Sequence, residues 1–497
     1  MGHASRHARS HDADGPSGDG GLGRALALTL ASALVWGVAH FASGRRIAGS
    51  VLLALYLVLG TAMAIAATVY RSELTHLAFQ ASMLERLTVA LVSLGVVWVL
   101  VVVWSYLVVR PTGVGRRFQS LGAGAVAVLC LAVAVPVAWS VHTTQVSRDT
   151  LTSIFRTGSE NGKHVDVDDP FDGQSRVNVL LLGGDAAQDR TGVRTDSMTV
   201  ASVDTETGDT VLLSLPRNLE HFQLPPGPAR DRFPYGFTGD GPQTPGLLNE
   251  VYEYAEEHSE VMPGVAKNHR GPELLKATIA GILGLRVDYY ILVDMFGFAD
   301  IVDAMGGVKM KIDEPIPYGL AGGVLQPGDR KLSGKEALWY GRSRTGSSDY
   351  VRMGRQKCLM RAIAQQADPQ TVLTNFDKLA AAAKRTLSTD IPQELLPALV
   401  KLSNKVKSGA QVNSLQFVPP LVYTGNPDFD LIRKLASDAV NANPRQVSSR
   451  PSESPSESPS ETPSESPSSG SGTPATGGSA PPKPGDKPIS LESSCPK

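Results

Sequence analysis

The chain is poor in cysteine, with three in 497 residues. Cys130 lies inside a long apolar run, Cys358 in an apolar helical pattern, and Cys495 near the end of a Pro/Ser-rich tail. No disulfide framework is visible, and Cys130 and Cys358 read as small buried apolar residues. No cluster of Cys and His offers a metal site. An excess of one charge is also missing: 47 Lys and Arg face 48 Asp and Glu, for a formal net charge of −1. A global basic field that would attract nucleic acid is thereby excluded. There is no P-loop, no Gly-x-Ser-x-Gly elbow and no kinase signature, which removes the commonest phosphate-binding and serine-nucleophile designs. Residues 1–24 are polar and rich in Gly, His and Asp; they read as disordered and lack a compact signal peptide with a cleavage site.

What is present begins with uncharged apolar runs. Ile47–Tyr70, Leu87–Val109 and Phe118–Val141 are each long enough to cross a bilayer. A weaker segment, 25–44, carries Ser32, Trp36, Gly37, His40 and Ser43, as an interfacial or re-entrant helix does. Residues 25–141 therefore form a membrane region. Arg45 and Arg46 precede the first strong span, and Arg110, Arg116 and Arg117 lie between the second and third. By the positive-inside rule these basic loops are cytoplasmic, which puts everything after Val141 outside. The expectation is a multi-pass protein of the cell membrane with an extracytoplasmic carboxyl-terminal domain, joined to it by a linker over 142–175.

From 176 to 441 strands alternate with helices, predicting a single layered α/β domain with a central mixed sheet. Val177–Leu182, Met198–Val203, Thr210–Leu215, Tyr289–Val293 and Val308–Ile312 read as strands. The second and third form a hairpin around Glu206-Thr-Gly208-Asp209. Leu247–His258, Pro272–Leu283, Phe296–Met305, Arg352–Gln366, Thr371–Leu387, Pro392–Val406 and Phe429–Val440 read as helices. Ser333-Gly-Lys-Glu336 is a capping box opening a further helix that leads to Arg342. Over 442–497, prolines 451, 455, 459, 463 and 467 punctuate a Ser-Glu-Ser/Thr repeat. Such a composition buries too little apolar surface to fold, so the tail is expected to be disordered.

The densest chemistry is Arg342-Ser-Arg344-Thr-Gly-Ser-Ser-Asp349-Tyr-Val-Arg352-Met-Gly-Arg355-Gln356. Asp349, Arg352 and Gln356 share one helix face. Converging arginines suit the planar, bidentate recognition of a diphosphate; a solvated face laced with ion pairs is the bland alternative. Three further polar groups close strands or occupy turns: Asp185, Arg194-Thr195-Asp196 and Arg217. If these converge, Asp185 and Asp196 can hold one Mg²⁺ through oxygen ligands, because that ion takes one or two carboxylates together with substrate phosphates. Arg194, Arg217, Arg342, Arg344, Arg352, Arg355 and Gln356 would then surround the diphosphate.

Leu180-Leu-Leu-Gly-Gly-Asp185, Arg194-Thr-Asp196-Ser, Leu215-Pro-Arg217, Asp288-Tyr-Tyr, Phe296-Gly-Phe298, Asp303-Ala-Met-Gly-Gly-Val308, Gly334-Lys-Glu-Ala-Leu338 and the arginine run follow one another in order. This set resembles the LytR-CpsA-Psr family of bacterial envelope proteins over residues 176–366, with weaker likeness to about 441. The resemblance implies transfer of a glycopolymer from a polyprenyl-diphosphate carrier to peptidoglycan, outside the membrane and with Mg²⁺. It implies Asp185 and Asp196 as metal ligands, Arg194, Arg217, Arg342, Arg344 and Arg352 as diphosphate ligands, and Asp349 as the motif carboxylate. Arg217, Arg342, Arg344 and Asp349 are thus the candidate catalytic groups, and the lipid is expected in an apolar pocket of the α/β domain. The chain departs from the family pattern at Ala187, often Arg, and at Asn218, usually Asp. Arg190 is a candidate replacement for the cation missing at Ala187. Hydrolysis of the same diphosphate, or binding without turnover, are the rival functions. Asp349 and Asp196 both remain candidates for the general base.

Overall fold

The computed structural model describes residues 18–68, 81–110, 116–155, 165–166, 169–185, 194–241, 244–319, 322–344, 346–366, 375–442, 488–491 and 495. Ala187, Arg190 and nearly all of the Ser-Glu-Pro repeat lie outside these residues. The chain divides into two compact units, Met1–Leu151 and Thr152–Lys497.

In the first unit, α1 (Gly18–Leu34) and α2 (Val38–Ala42) form the weaker segment, followed by α3 (Arg46–Thr68), α4 (Ala81–Val109) and α5 (Arg116–Ile154). The last three are long and apolar enough to cross a membrane. Their apolar side chains largely face outward, among them Ile47, Val58, Met63, Leu100, Val128 and Trp139. That pattern suits a lipid solvent, where an outward Leu or Val costs nothing. The weaker segment instead packs inward: Trp36 and Ala39 are buried, and Trp36 meets Trp98 of α4 edge-on. It breaks at Gly37, whose φ of 99° and approach to the Gly49 carbonyl leave no room for a Cβ. The helix α5 outruns its apolar stretch, so the linker expected from residue 142 begins as helix. Thr143, Thr144, Ser147 and Thr150 return their hydroxyls to carbonyls one turn back, which carries polar residues within a helix.

The second unit is built on a seven-stranded mixed sheet. Its strands are β1 (Arg176–Asp185), β2 (Arg194–Asp204), β3 (Thr210–Leu215), β4 (Tyr289–Asp294), β9 (Leu387–Thr389), β10 (Val412–Gln416) and β11 (Ile489–Ser490), in the order β11-β10-β3-β2-β1-β4-β9. β1 runs parallel to β4 and β10 parallel to β3; the other neighbours are antiparallel. Two small antiparallel sheets pair β5 (Val308–Ile312) with β8 (Gly328–Leu332) and β6 (Ile316–Tyr318) with β7 (Gly323–Leu325). The helices of this unit are α6 (Pro228–Arg232), α7 (Val251–Glu257), α8 (Arg270–Leu283), α9 (Met295–Ala304), α10 (Gly334–Arg342), α11 (Asp349–Gln366), α12 (Phe376–Thr386), α13 (Leu396–Lys407) and α14 (Phe429–Asn441).

Alternation in β1–β3 sends Leu180, Leu182, Met198, Val200, Leu213 and Leu215 into the main core, against Leu248, Leu274, Ile279 and Ile432. A second core of Val302, Val308, Ile312, Leu332, Tyr340 and Leu359 ties α9, α10 and α11 to the β5–β8 pair. The β2–β3 turn is fixed by Asp204, whose carboxylate accepts from the backbone N–H of Glu206 (3.0 Å) and Thr207 (2.7 Å). Burial alone would raise the pKa of Asp204, but those N–H groups and Arg176 outweigh it and hold it below the ordinary carboxylate value. At the β4–β9 edge Lys276 of α8 pairs with Asp390 and lies 3.0 Å from Glu273. The second Asp390 oxygen accepts from Tyr290 N at 2.7 Å, so each member of this pair is bonded more than once.

Two expectations are corrected here. Cys358 does not stay a free buried thiol: it forms a disulfide with Cys495, 137 residues away in sequence. The end of the tail is not detached either. Ile489–Ser490 adds β11 to the edge of β10, Leu491 packs on Ala201 and Leu212, and Arg361 donates to the Leu491 carbonyl at 3.1 Å. A short apolar stretch next to a cysteine regains by covalent linkage the ordering entropy that composition alone denies it.

Candidate functional site

The site begins with an irregularity in the β1–β2 ladder. Gly183 pairs with Ser197 and Gly184 with Thr195, leaving Asp196 as the extra residue of a bulge. A bulge turns its side chain out of the alternating register, and here the Asp196 carboxylate meets Arg217, which follows the neighbouring β3. Glycine suits position 183, because a Cβ there would come within 3.2 Å of the Ser197 Cβ. The same register sets the Asp185 backbone opposite Arg194.

One strand over, β3 ends in Pro216-Arg217. The Arg217 carbonyl accepts from Asn249 N at 3.0 Å, which anchors the turn. Its guanidinium donates to Asp196 Oδ1 at 2.5 Å and, through Nε, to Asp349 Oδ2 at 3.1 Å. Asp349 is the first residue of α11, where the helix dipole favours a carboxylate. Arg352, one turn on, is buried and its Nη2 donates to Asp349 Oδ2 and to the Asp196 carbonyl, both at 3.1 Å. Arg344 reaches the same cluster from the α10–α11 loop, with Nη1 3.7 Å from Asp349 Oδ1 and its side chain half exposed. The structure thus brings Asp196, Arg217, Arg344, Asp349 and Arg352 into one centre.

Three guanidiniums meet two carboxylates, so the centre carries excess positive charge. Burial would lower the Arg217 pKa, but Asp196 and Asp349 outweigh it and raise it. At Arg352 burial wins, aided by the charges of Arg217 and Arg344, and the pKa is lowered despite Asp349 and Asp196. Arg352 Nε and Asp349 Oδ1 are buried without a hydrogen bond among the described residues. Buried groups left in that condition cost stability and mark places where a ligand can bond.

Other expected site residues are placed differently. Arg355 donates to the Ser343 carbonyl and to Ser347 Oγ (2.9 Å), and Gln356 donates to the Gly341 carbonyl at 3.0 Å. Both brace the segment that presents Arg344. Arg194 turns to Glu253 of α7 at 3.1 Å. Arg342 is the last residue of α10. Sequence reasoning missed Glu253, Asn249 and Lys357. Lys357 lines a crevice of about 20 Å³ between α11 and the sheet, with Asp196, Arg217 and Thr199, and burial lowers its ammonium pKa. That crevice holds about one water; it is not the apolar lipid pocket the resemblance implies. Only the i, i+5 spacing of Lys357 from Arg352 signalled it, and that spacing is uninformative by itself.

Among the described residues no three His, Cys, Asp or Glu side chains converge as a metal cluster. The donor chemistry nevertheless fits a hard divalent cation that shares its shell with phosphates: Asp196 offers a second oxygen beyond its Arg217 contact, and Asp185 lies at the adjacent strand end.

A model of the LytR_cpsA_psr family matches residues 140–430. The chain is 25% identical over 254 residues to a polyisoprenyl-teichoic acid–peptidoglycan teichoic acid transferase, TagU, of Oceanobacillus iheyensis, covering 51% of this chain and 70% of that protein. It is 31% identical over 236 residues to the probable cell wall biosynthesis protein LcpB of Corynebacterium glutamicum, covering 47% of this chain and 46% of LcpB. Among solved structures, TagV of B. subtilis aligns at 22% identity and a TM-score of 0.39, covering 54% of this chain and 99% of TagV.

Proposed function

The chain belongs to the LytR_cpsA_psr family, and on that premise we propose that it transfers a glycopolymer from a polyprenyl-diphosphate carrier to peptidoglycan. The observation that carries this is the Asp196–Arg217–Arg344–Asp349–Arg352 centre, with its surplus of guanidinium and an Arg352 Nε that has no hydrogen bond among the described residues.

A sugar hydroxyl of peptidoglycan attacks the phosphorus that bears the glycopolymer. A new P–O bond forms, the bridging P–O bond of the diphosphate breaks, and polyprenyl phosphate leaves with the bonding pair. The product is a phosphodiester between the two glycans. Arg217 and Arg352 hold the phosphoryl oxygens and offset their charge as the bond order shifts; Arg344, on its loop, closes over the outer phosphate. Asp349 takes the hydroxyl proton at Oδ1, the oxygen left without a hydrogen bond among the described residues. Asp185 and Asp196 would hold Mg²⁺, which when bound neutralises diphosphate charge.

The arginine-rich loops favour a domain outside the cytoplasm. The Cys358–Cys495 disulfide supports the same side, since such bonds persist in oxidising compartments. Reporter fusions after Gly158 and after Gly113 should behave oppositely, the first active only outside.

The test of function uses the full chain in detergent with a glycopolymer-bearing prenyl diphosphate, Mg²⁺ and peptidoglycan fragments. Polymer covalently attached to the fragment is the expected result. Release of phosphate products with no attachment would overturn transfer in favour of hydrolysis, and tight binding without product would favour a binder. Titrating Mg²⁺ with Asp196→Asn, which is expected to need more of the ion, tests the metal assignment.

A further inference from the structure

A second cationic feature lies on α11, away from the centre just described. An open cleft of about 750 Å³ separates the C-terminal half of α11 from the β5–β8 pair. Among the described residues Lys309, Lys311, Arg330, Lys331 and Arg361 line it, opposed by one carboxylate, Asp329.

The register makes this concentration costly. Lys309 stands directly opposite Lys331, and Lys311 opposite Asp329. Facing like charges on adjacent strands destabilise a sheet. Among the described residues none of Lys309, Lys311 and Lys331 enters a salt bridge, and all three are exposed. The framework around them is firm. The Gln366 side chain bonds both the N–H and the carbonyl of Lys309 at 2.7 Å, fixing the strand to α11. The Cys358–Cys495 disulfide forms part of the cleft wall, and Val308, Ile312 and Leu332 anchor the β5–β8 pair in the second core. Arg361 follows Arg352 by nine positions, about 14 Å along the helix at 1.5 Å per residue.

We propose that this cleft binds an extended polyanion, the phosphate- or carboxylate-bearing repeat units of the glycopolymer carried by the diphosphate. Spaced lysines suit such a chain better than a single anion, because each neutralises one repeat charge as a point charge without demanding a fixed geometry. The inference rests on the transfer reaction proposed above, but its test requires no turnover.

Full-length protein is titrated with a poly(glycerol phosphate) oligomer, with neutral dextran of equal length, and with phosphatidylglycerol vesicles. The oligomer should bind and dextran should not. Lys309→Gln with Lys331→Gln should weaken oligomer binding roughly tenfold and flatten its salt dependence by about one to two units of slope. The melting temperature should hold or rise, since a repulsive pair is removed. Asp329→Asn should tighten binding. Unchanged oligomer affinity in the double variant, or lysine-dependent binding of vesicles but not of oligomer, would overturn the proposal. Arg217→Ala, which should stop transfer, is expected to leave oligomer binding intact. Transfer without oligomer binding would therefore remove the cleft and keep the reaction, and oligomer binding without transfer would do the reverse.

Discussion

The Lys276–Asp390 pair and the Asp196–Arg217–Asp349–Arg352 centre are built from the same kinds of group at similar depth, yet they end in different states. At Lys276 one ammonium meets two carboxylates, Asp390 and Glu273, Tyr290 N bonds the second Asp390 oxygen, and among the described residues neither Lys276 nor Asp390 keeps a buried side-chain atom without a partner. At the arginine centre, cations outnumber carboxylates, and Arg352 Nε and Asp349 Oδ1 have no hydrogen bond among the described residues. A network that completes its hydrogen bonds serves the fold; one left with unmet buried groups and surplus cations is poised for an anionic ligand. The difference also separates effects on stability from effects on rate.

The largest expected effect is on the self-completed pair. Asp390→Ala leaves the buried Lys276 ammonium with Glu273 alone and Tyr290 N without its acceptor, and should cost about 3–5 kcal/mol, lowering the melting temperature by about 10 °C. Replacing both partners with apolar residues, Lys276→Met with Asp390→Leu, should recover most of that loss. If the double variant melts as low as the single, the pair does more than balance its own charge. Next comes Arg217→Lys, in which a point charge cannot span Asp196 and Asp349 as the planar fork does. Loss of transition-state stabilisation of about 3 kcal/mol predicts a roughly hundredfold slower transfer, with little change in melting temperature. A large fall in melting temperature would place Arg217 with the structural pair and erase the contrast. Arg344→Lys should follow, smaller because that side chain is half exposed and makes a longer contact; about tenfold in rate corresponds to roughly 1.4 kcal/mol.

The smallest effect concerns a carboxylate that belongs wholly to the fold. The Asp204 pKa is depressed in the folded state, so its contribution is present above the unfolded value near 3.9 and is lost as pH falls through the lower folded value. Asp204→Ala should cost about 1 kcal/mol near neutrality and flatten the acid limb of a melting-temperature–pH profile below about pH 4. An unchanged acid limb would show that the turn contacts do not act through ionisation.

How much was legible follows from what kind of signal each part left. The period-two strands β1–β3 and the Ser333 capping box are local patterns, and they stand where the sequence puts them. Arg217, Asp349 and Arg352 were legible because residue type and helical spacing carry the chemistry. The Asp196 bulge was not, since it depends on which residue of β1 faces which residue of β2. Short strands such as β9 and β10 gain their stability from neighbours far along the chain, and β9 follows directly on a predicted helix. Arg355 and Gln356 share the face and residue types of a phosphate site, so only their bonds to Ser343 and Gly341 reveal the loop-holding role. The disulfide left no signal, because its partners lie 137 positions apart across a low-complexity repeat.

That disulfide has a topological consequence. Everything between Cys358 and Cys495 is a covalently closed ring, with the Ser-Glu-Pro repeat as part of its circumference. A protease that cuts once within the repeat opens the ring without releasing a fragment. The nicked protein should keep its full mass on a non-reducing gel and fall into two pieces only after a thiol reductant is added. A single scission therefore leaves β11 attached to α11.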